Sequence, residues 1–245
     1  MKRFLKGLHR YLYLGTVVFF FFLLYPLLYY FSRKPERYAR LNVLRRLLGF
    51  VSSAAAGLFY SYTFCEEIDW SRRYIICANH TSSLDITAVT LLVRGNFAFI
   101  GKEELLHNPV TGLFFKTIDI PVDRKSRMSS FRAFKKADVY LQKGMSVVIF
   151  PEGKIPDDYP PRLSDFKSGP FRLAIEHQIP IIPVTIRDTW RKMWDDGSLL
   201  GSKPGISHIY VHSRVETQGL TLDDADELSG RIFSIIKEGL TENET

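Results

Sequence analysis

The sequence is poor in cysteine. Cys65 and Cys77 are its only two in 245 residues, twelve positions apart, with no CxxC pair and no Cys/His cluster of metal-ligand number. That argues against a zinc site or a redox pair, and no metal site is expected. Cys77, inside an apolar run, reads as a small buried hydrophobe, and a reducing compartment fits. No internal repeat is present, which removes solenoid architectures. No G-x-S-x-G occurs either, so the nucleophile elbow of a serine hydrolase is missing. Basic charge is absent from most of the chain. The formal net charge is +7, yet residues 1–46 hold ten Lys/Arg and one Glu, and the other 199 residues hold 23 basic and 25 acidic side chains. A nucleic-acid-binding module would carry its basic patch on the folded part, so no nucleic-acid partner is expected. A basic N-terminus is instead attracted to an anionic membrane surface.

Long apolar runs are present in one place. Tyr11 to Phe31 is almost wholly apolar over 21 residues, long enough to span a bilayer. Ser32-Arg33-Lys34 follows it where a signal peptide would have a small-residue cleavage site, so a signal peptide is not expected. Basic residues flank both ends, and a single span would carry one flank across against the positive-inside tendency. A second segment, Leu41 to Phe64, repeats apolar residues at Leu44, Leu47, Leu48, Val51, Leu58 and Phe59, roughly helical spacing. Its small residues, Ser52 to Gly57, allow close helix approach. The expectation is a helical pair that enters the membrane from the cytoplasmic side and returns, a monotopic anchor. A single-pass anchor in the inner membrane is the alternative. Residues 1–66 are assigned to this membrane-binding segment and residues 67–245 to an α/β domain.

In that second part the spacing predicts strands at 73–78, 97–100, 117–120, 146–150, 180–187 and 207–215. Helices are predicted at 84–94, 103–117 (broken near Pro109), 127–143, 169–177 and 222–239, with a frayed tail. The alternation describes an α/β fold, a mostly parallel sheet flanked by helices. Trp190, Met193 and Trp194 read as either a core edge or a membrane-facing patch.

The stretch Asn79-His80-Thr81-Ser82-Ser83-Leu84-Asp85 lies between the first of these strands and the first helix, with Ser82 or Ser83 as N-cap. His80 falls in the loop and Asp85 in the first helical turn, so the loop can fold the ring back onto the carboxylate. An imidazole oriented by a carboxylate is a general base with no nucleophile attached. The spacing alone is weak evidence, because 6 His and 14 Asp produce an H-x4-D pair by chance in about a third of such chains. Three further blocks follow in order: Ile118–Arg124 (I-D-I-P-V-D-R), Phe150–Gly153 (F-P-E-G) and Ile179–Val184 (I-P-I-I-P-V).

Together the four blocks resemble those of the glycerolipid acyltransferases, in particular the bacterial-type lysophosphatidic acid acyltransferases, over about residues 70 to 190. The resemblance implies a glycerol-3-phosphate acyltransferase-like fold and transfer of a fatty acyl group from a thioester to a glycerolipid hydroxyl. It implies His80 and Asp85 as the catalytic pair and Arg124 as a ligand of the substrate phosphate. Asn79, Lys102, Glu152, Gly153 and Lys154 are placed with Arg124 around the substrate. Where the family has F-P-E-G-T-R-S, this chain has Lys154 and Ile155 after Gly153, so the family's second arginine is missing. Lys154 or Lys167 is the candidate replacement. The expected partners are the bilayer, a lysophospholipid acceptor and an acyl donor, either acyl-coenzyme A or acyl carrier protein, with no bound cofactor. An oxyanion hole built of loop amides is also expected. A hydrolase using the same pair on water is the second reading, and a membrane scaffold with a decayed site is the third.

Overall fold

The structure is a computed structural model, and it describes residues 2–194 and 201–241. The expected frayed tail, 242–245, lies outside the described residues. Two long helices open the chain, α1 (Lys2–Ser32) and α2 (Tyr38–Ala55), and strand β1 (Leu58–Phe64) follows. Then come β2 (Ile75–Ala78), α3 (Leu84–Leu92), β3 (Phe97–Lys102), α4 (Thr111–Phe115), β4 (Ile120–Val122) and α5 (Arg127–Gln142). The chain continues through β5 (Ser146–Ile149), α6 (Gly169–Glu176), β6 (Ile181–Ile186), a short α7 (Thr189–Lys192), β7 (Gly205–Val211) and α8 (Ala225–Thr241).

One seven-stranded sheet runs in the order β1-β7-β6-β2-β5-β3-β4. Every pairing is parallel except β6 with β7. The central strands are buried on both faces, so they are continuous apolar runs rather than alternating ones. Along β2, Ile75 and Cys77 enter one core, with α5, α6 and α8. Tyr74, Ile76 and Ala78 enter the other, with α3. Complete burial pushes the Cys77 thiol up, as an inert core residue requires.

The second helix is shorter than the 41–64 segment predicted for it. It ends at Ala55, Gly57 takes a left-handed backbone at φ 67°, and residues 58–64 form β1. The reason is legible afterwards. Leu58-Phe59-Tyr60-Ser61-Tyr62-Thr63-Phe64 is rich in aromatics, which favour strands, and its burial largely alternates. The strand pairs along its whole length with β7, so the sheet draws on both sides of the division expected at 66/67. The strand expected at 117–120 begins instead at Ile120, because Thr117–Asp119 still close the turn after α4. The 103–117 helix breaks as predicted, into a 3-10 turn at Glu103–His107 and α4.

The helix pair is joined to the domain by charge as well as by packing. Arg45 of α2 donates to Asp119 at 2.8 Å, and both are buried. Its guanidinium also lies 4.3 Å from the Phe114 ring centre. Asp119 accepts a further bond from the Phe99 amide. Truncating one member of such a buried pair leaves the other charged and unsolvated, at about 3–5 kcal/mol. The two helices run antiparallel, with Thr16 donating to the Ser52 carbonyl. Among the described residues α1 is the one helix long and apolar enough, by length and composition, to cross a membrane. It keeps Phe4, Leu8, Tyr11, Phe19, Phe22 and Leu23 exposed.

Candidate active site

The site forms where β2 ends and α3 begins, at the carboxyl edge of the sheet, the usual ligand-binding edge of such folds. Ser83 is the N-cap residue of α3, but its side chain makes no capping bond. Ser82 Oγ accepts from the Leu84 amide at 3.2 Å instead, and the Asp85 carboxylate turns back on the loop. One carboxylate oxygen, Oδ2, accepts from the Thr81 amide at 2.6 Å and the Ser82 amide at 2.8 Å. The same oxygen faces His80 Nδ1 at 2.9 Å. The other, Oδ1, accepts from Thr189 Oγ1 at 2.5 Å. Asp85 is wholly buried. Four donors thus converge on this carboxylate in the first turn of α3.

That arrangement settles the tautomer of His80. An ionised carboxylate can only accept, so in the neutral ring Nδ1 carries the proton and Nε2 keeps a lone pair. No described residue hydrogen-bonds Nε2, and the ring is partly exposed. Its flat face lies on Phe150, with ring centres 4.2 Å apart and planes tilted by 22°. Phe150 in turn stacks on Phe99. The ring is therefore oriented at one edge by charge and at one face by an aromatic.

The other residues expected around the substrate divide into two groups. Asn79 is fully buried and bonds the Ile186 backbone twice, at 2.9 and 2.7 Å, so its amide extends the β2–β6 pairing. Glu152 uses both oxygens on backbone amides, His80 at 2.7 Å and Ser164 at 2.8 Å. Burial pushes its carboxyl above the ordinary carboxylate range, while those amides and the His80 ring oppose the shift. Neither side chain points a free group outward.

Arg124 does. It lies two residues beyond β4, and burial of part of the side chain lowers its pKa, with Glu104 opposing. Gly153 has φ 83°, and a Cβ placed there would sit 3.5 Å from the Arg124 guanidinium. That spacing is ordinary contact, so Arg124 lies against the F-P-E-G backbone and the left-handed φ is what favours glycine there. Lys102 ends β3 and is exposed. Lys154 is exposed too, but its ammonium is turned to Asp157 at 2.6 Å. Lys167 is exposed, and its amide donates to the Pro151 carbonyl. Ile181–Ile186 is wholly buried, and Met193 and Trp194 are buried as well, which makes that cluster a core edge.

Sequence reasoning missed Thr189 and the part played by Ser82. Thr189 reaches Asp85 across 104 positions, and Ser82 Oγ donates to the Met193 carbonyl at 2.7 Å. Threonines carry no spacing signal, so neither contact was readable.

The described residues thus place a carboxylate-oriented imidazole with an open Nε2 where β2 meets α3, and an arginine against the Gly153 backbone. The model of the Acyltransferase family matches residues 61–187, more than half of the chain, and the chain belongs to that family. It is 29% identical over 171 residues to the mouse 1-acyl-sn-glycerol-3-phosphate acyltransferase alpha, covering 67% of this chain and 59% of that protein. It is 26% identical over 176 residues to the 1-acyl-sn-glycerol-3-phosphate acyltransferase of Haemophilus influenzae, covering 69% of each. The chain spans about 60% of the length of most curated relatives it matches. The fold is that of the 1-acyl-sn-glycerophosphate acyltransferase PlsC of Thermotoga maritima, with a TM-score of 0.72 and 24% identity over 98% of this chain and 95% of that one.

Proposed function

We propose that the chain is a lysophosphatidic acid acyltransferase. It would move a fatty acyl group from a thioester to the free hydroxyl of 1-acylglycerol 3-phosphate and yield phosphatidic acid for phospholipid synthesis. The observation that carries this is the His80–Asp85 pair, with Nε2 open and no nucleophile bonded to it. Names of the curated relatives support the choice of acceptor.

The chemistry follows from the geometry. Nε2 takes the hydroxyl proton as the oxygen bonds to the thioester carbonyl carbon. Asp85 balances the imidazolium so formed. The tetrahedral intermediate then expels the thiolate, which receives the proton from Nε2, and the base is restored. Arg124 would hold the acceptor phosphate, since its planar fork matches phosphate oxygens, with Lys102 or Lys154 as a second cation. Asn79 and Glu152 serve better as braces for the catalytic loop than as substrate ligands. The donor is an acyl thioester of coenzyme A or of acyl carrier protein.

The same reading puts the domain on the cytoplasmic face of the cell membrane, with the α1–α2 hairpin resting monotopically in it. Both basic flanks would lie among headgroups, and the acceptor would not have to leave the bilayer. Each methylene kept in lipid avoids about 0.8 kcal/mol of exposure. The test follows radiolabelled acyl thioester with the purified chain in mixed micelles. Label should enter phosphatidic acid when lysophosphatidic acid is supplied, and His80→Ala should lower that transfer by about 10²–10⁴. Release of free fatty acid at the same rate with and without acceptor would make the enzyme a hydrolase.

A further inference from the structure

A cleft of about 370 Å³ lies away from His80, between the second half of α1 and the segment that carries α4. We propose that it is a binding site for one anionic phospholipid, held by its headgroup, distinct from the acyl acceptor. The proposal does not depend on the acyl-transfer reading.

Its cationic groups come from two directions. Arg33 follows the end of α1, and Lys116 and His107 come from either side of α4. None of the described residues that line it is an aspartate or glutamate. The wall is aromatic. Tyr25 and Tyr29 stack with ring centres 5.9 Å apart, and the Arg33 guanidinium lies 5.4 Å from the centre of the Tyr29 ring. An arginine resting on an aromatic face keeps its outward donors free for a phosphate while losing little side-chain entropy. Leu113 adds an apolar patch to the opposite wall.

Size and surroundings choose between a lipid and a soluble phosphate. Pockets of roughly 300–1,000 Å³ bury most of a drug-sized ligand, so this one exceeds the needs of a bare phosphate ion. It fits a headgroup with its glycerol. Phe22, Leu23 and Leu27 remain exposed along the same stretch of α1. A soluble organic phosphate would leave them uncovered, whereas the acyl chains of a seated phospholipid would lie along them. Tyrosines and arginines at a helix end are also the residues that favour the headgroup level. Such a lipid would fix the depth at which the hairpin sits.

The test is native mass spectrometry of the full chain in neutral detergent, titrated with phosphatidylglycerol, with phosphatidylcholine or with soluble glycerol phosphate. One phosphatidylglycerol per chain should persist. Phosphatidylcholine should bind at least tenfold more weakly, and glycerol phosphate at equal concentration should not displace the lipid. The R33Q/K116Q variant should lose at least tenfold in affinity. The charge-matched K34Q/R40Q variant, outside the cleft, should stay within twofold of the unsubstituted chain. Equal losses in the two variants would reduce the effect to general charge, and equal retention of phosphatidylcholine would remove the anionic selectivity. Displacement by glycerol phosphate would make this a site for soluble phosphates. Any of the three overturns the proposal. His80→Ala should bind phosphatidylglycerol like the unsubstituted chain, so a failed transfer assay leaves this result standing.

Discussion

Asp85→Asn isolates the charge of the catalytic pair from its shape. Asparagine keeps the outline of aspartate but has one donor end. If the amide nitrogen took the place of Oδ2, it would face three donors, from His80, Thr81 and Ser82. The amide will therefore turn its oxygen to those three and its nitrogen to Thr189. Thr189 Oγ1 can accept that bond and give its own proton to Thr81 Oγ1, 3.2 Å away. The fold then survives and the ring stays in place, but nothing balances the imidazolium. At 2.9 Å and an effective dielectric near 20, a unit-charge pair is worth about 6 kcal/mol. Only part of that develops in the transition state. A loss of about 10³–10⁴ in kcat follows, similar to the roughly 10⁴ for loss of a triad aspartate. The assay is thiol release from an acyl thioester with lysophosphatidic acid in mixed micelles, alongside thermal melting by circular dichroism. Retention of more than a tenth of the activity with an unchanged Tm would refute the role given to the charge. Thr189→Val should destabilise the Asp85→Asn chain further, because valine cannot accept the turned amide.

Other expectations follow from the same geometry. Arg124→Ala should raise the KM for a phosphate-monoester acceptor and leave the donor KM alone, since a charge-assisted bond is worth about 1.5–3 kcal/mol; the reverse pattern would move Arg124 to the donor. Phe150→Leu keeps an apolar neighbour but removes the face that orients His80. Aromatic pairs contribute about 0.5–1.5 kcal/mol, so kcat should drop about 2–12-fold at constant KM, and Phe150→Tyr should restore it; a change confined to KM would refute the orienting role. Cysteines placed at Lys6 and at Lys34, in a chain lacking Cys65 and Cys77, should both resist an impermeant reagent added outside sealed cells; labelling of the first alone would show that α1 spans the membrane.

Much of the fold was legible because the α/β part is periodic. Buried strands such as Ile75–Ala78 and Ile181–Ile186 are short apolar runs bounded by turn residues, and α8 carries its apolar residues on one face. Legibility stopped where two periods fit one segment. Leu58 and Phe59 suit the end of an apolar helix, and they equally suit the start of β1. What decides is β7, which arrives some 150 residues later and offers a free edge to pair with. The consequence reaches the membrane segment. Removing residues 1–62, as an anchor is removed, would also take most of β1, the Arg45–Asp119 pair and the core side chains Leu41 and Leu48. The anchor and the domain share one core, and a cut at 62/63 or 66/67 falls within the sheet or strips its edge strand.

At the site, the meeting of His80 and Asp85 was legible because the two lie five residues apart, across the junction of loop and helix. The six residues placed around the substrate were harder, since their types suggest contact with ligand and their hydrogen bonds say otherwise for two. Asn79 and Glu152 are polar residues next to a catalytic loop, which is where a substrate ligand is sought. Yet both are buried, and a buried polar group must be satisfied by something always present. Backbone amides meet that need and a transient substrate does not. Glu152 joins the amide of His80 to that of Ser164, twelve residues beyond itself, and so ties the F-P-E-G block to the loop that carries His80. Arg124 and Lys102 keep solvent-facing charge, which only a ligand or water can satisfy. Burial therefore separates the residues that hold the loop from those free to meet a phosphate, and burial is what a motif in one sequence does not record.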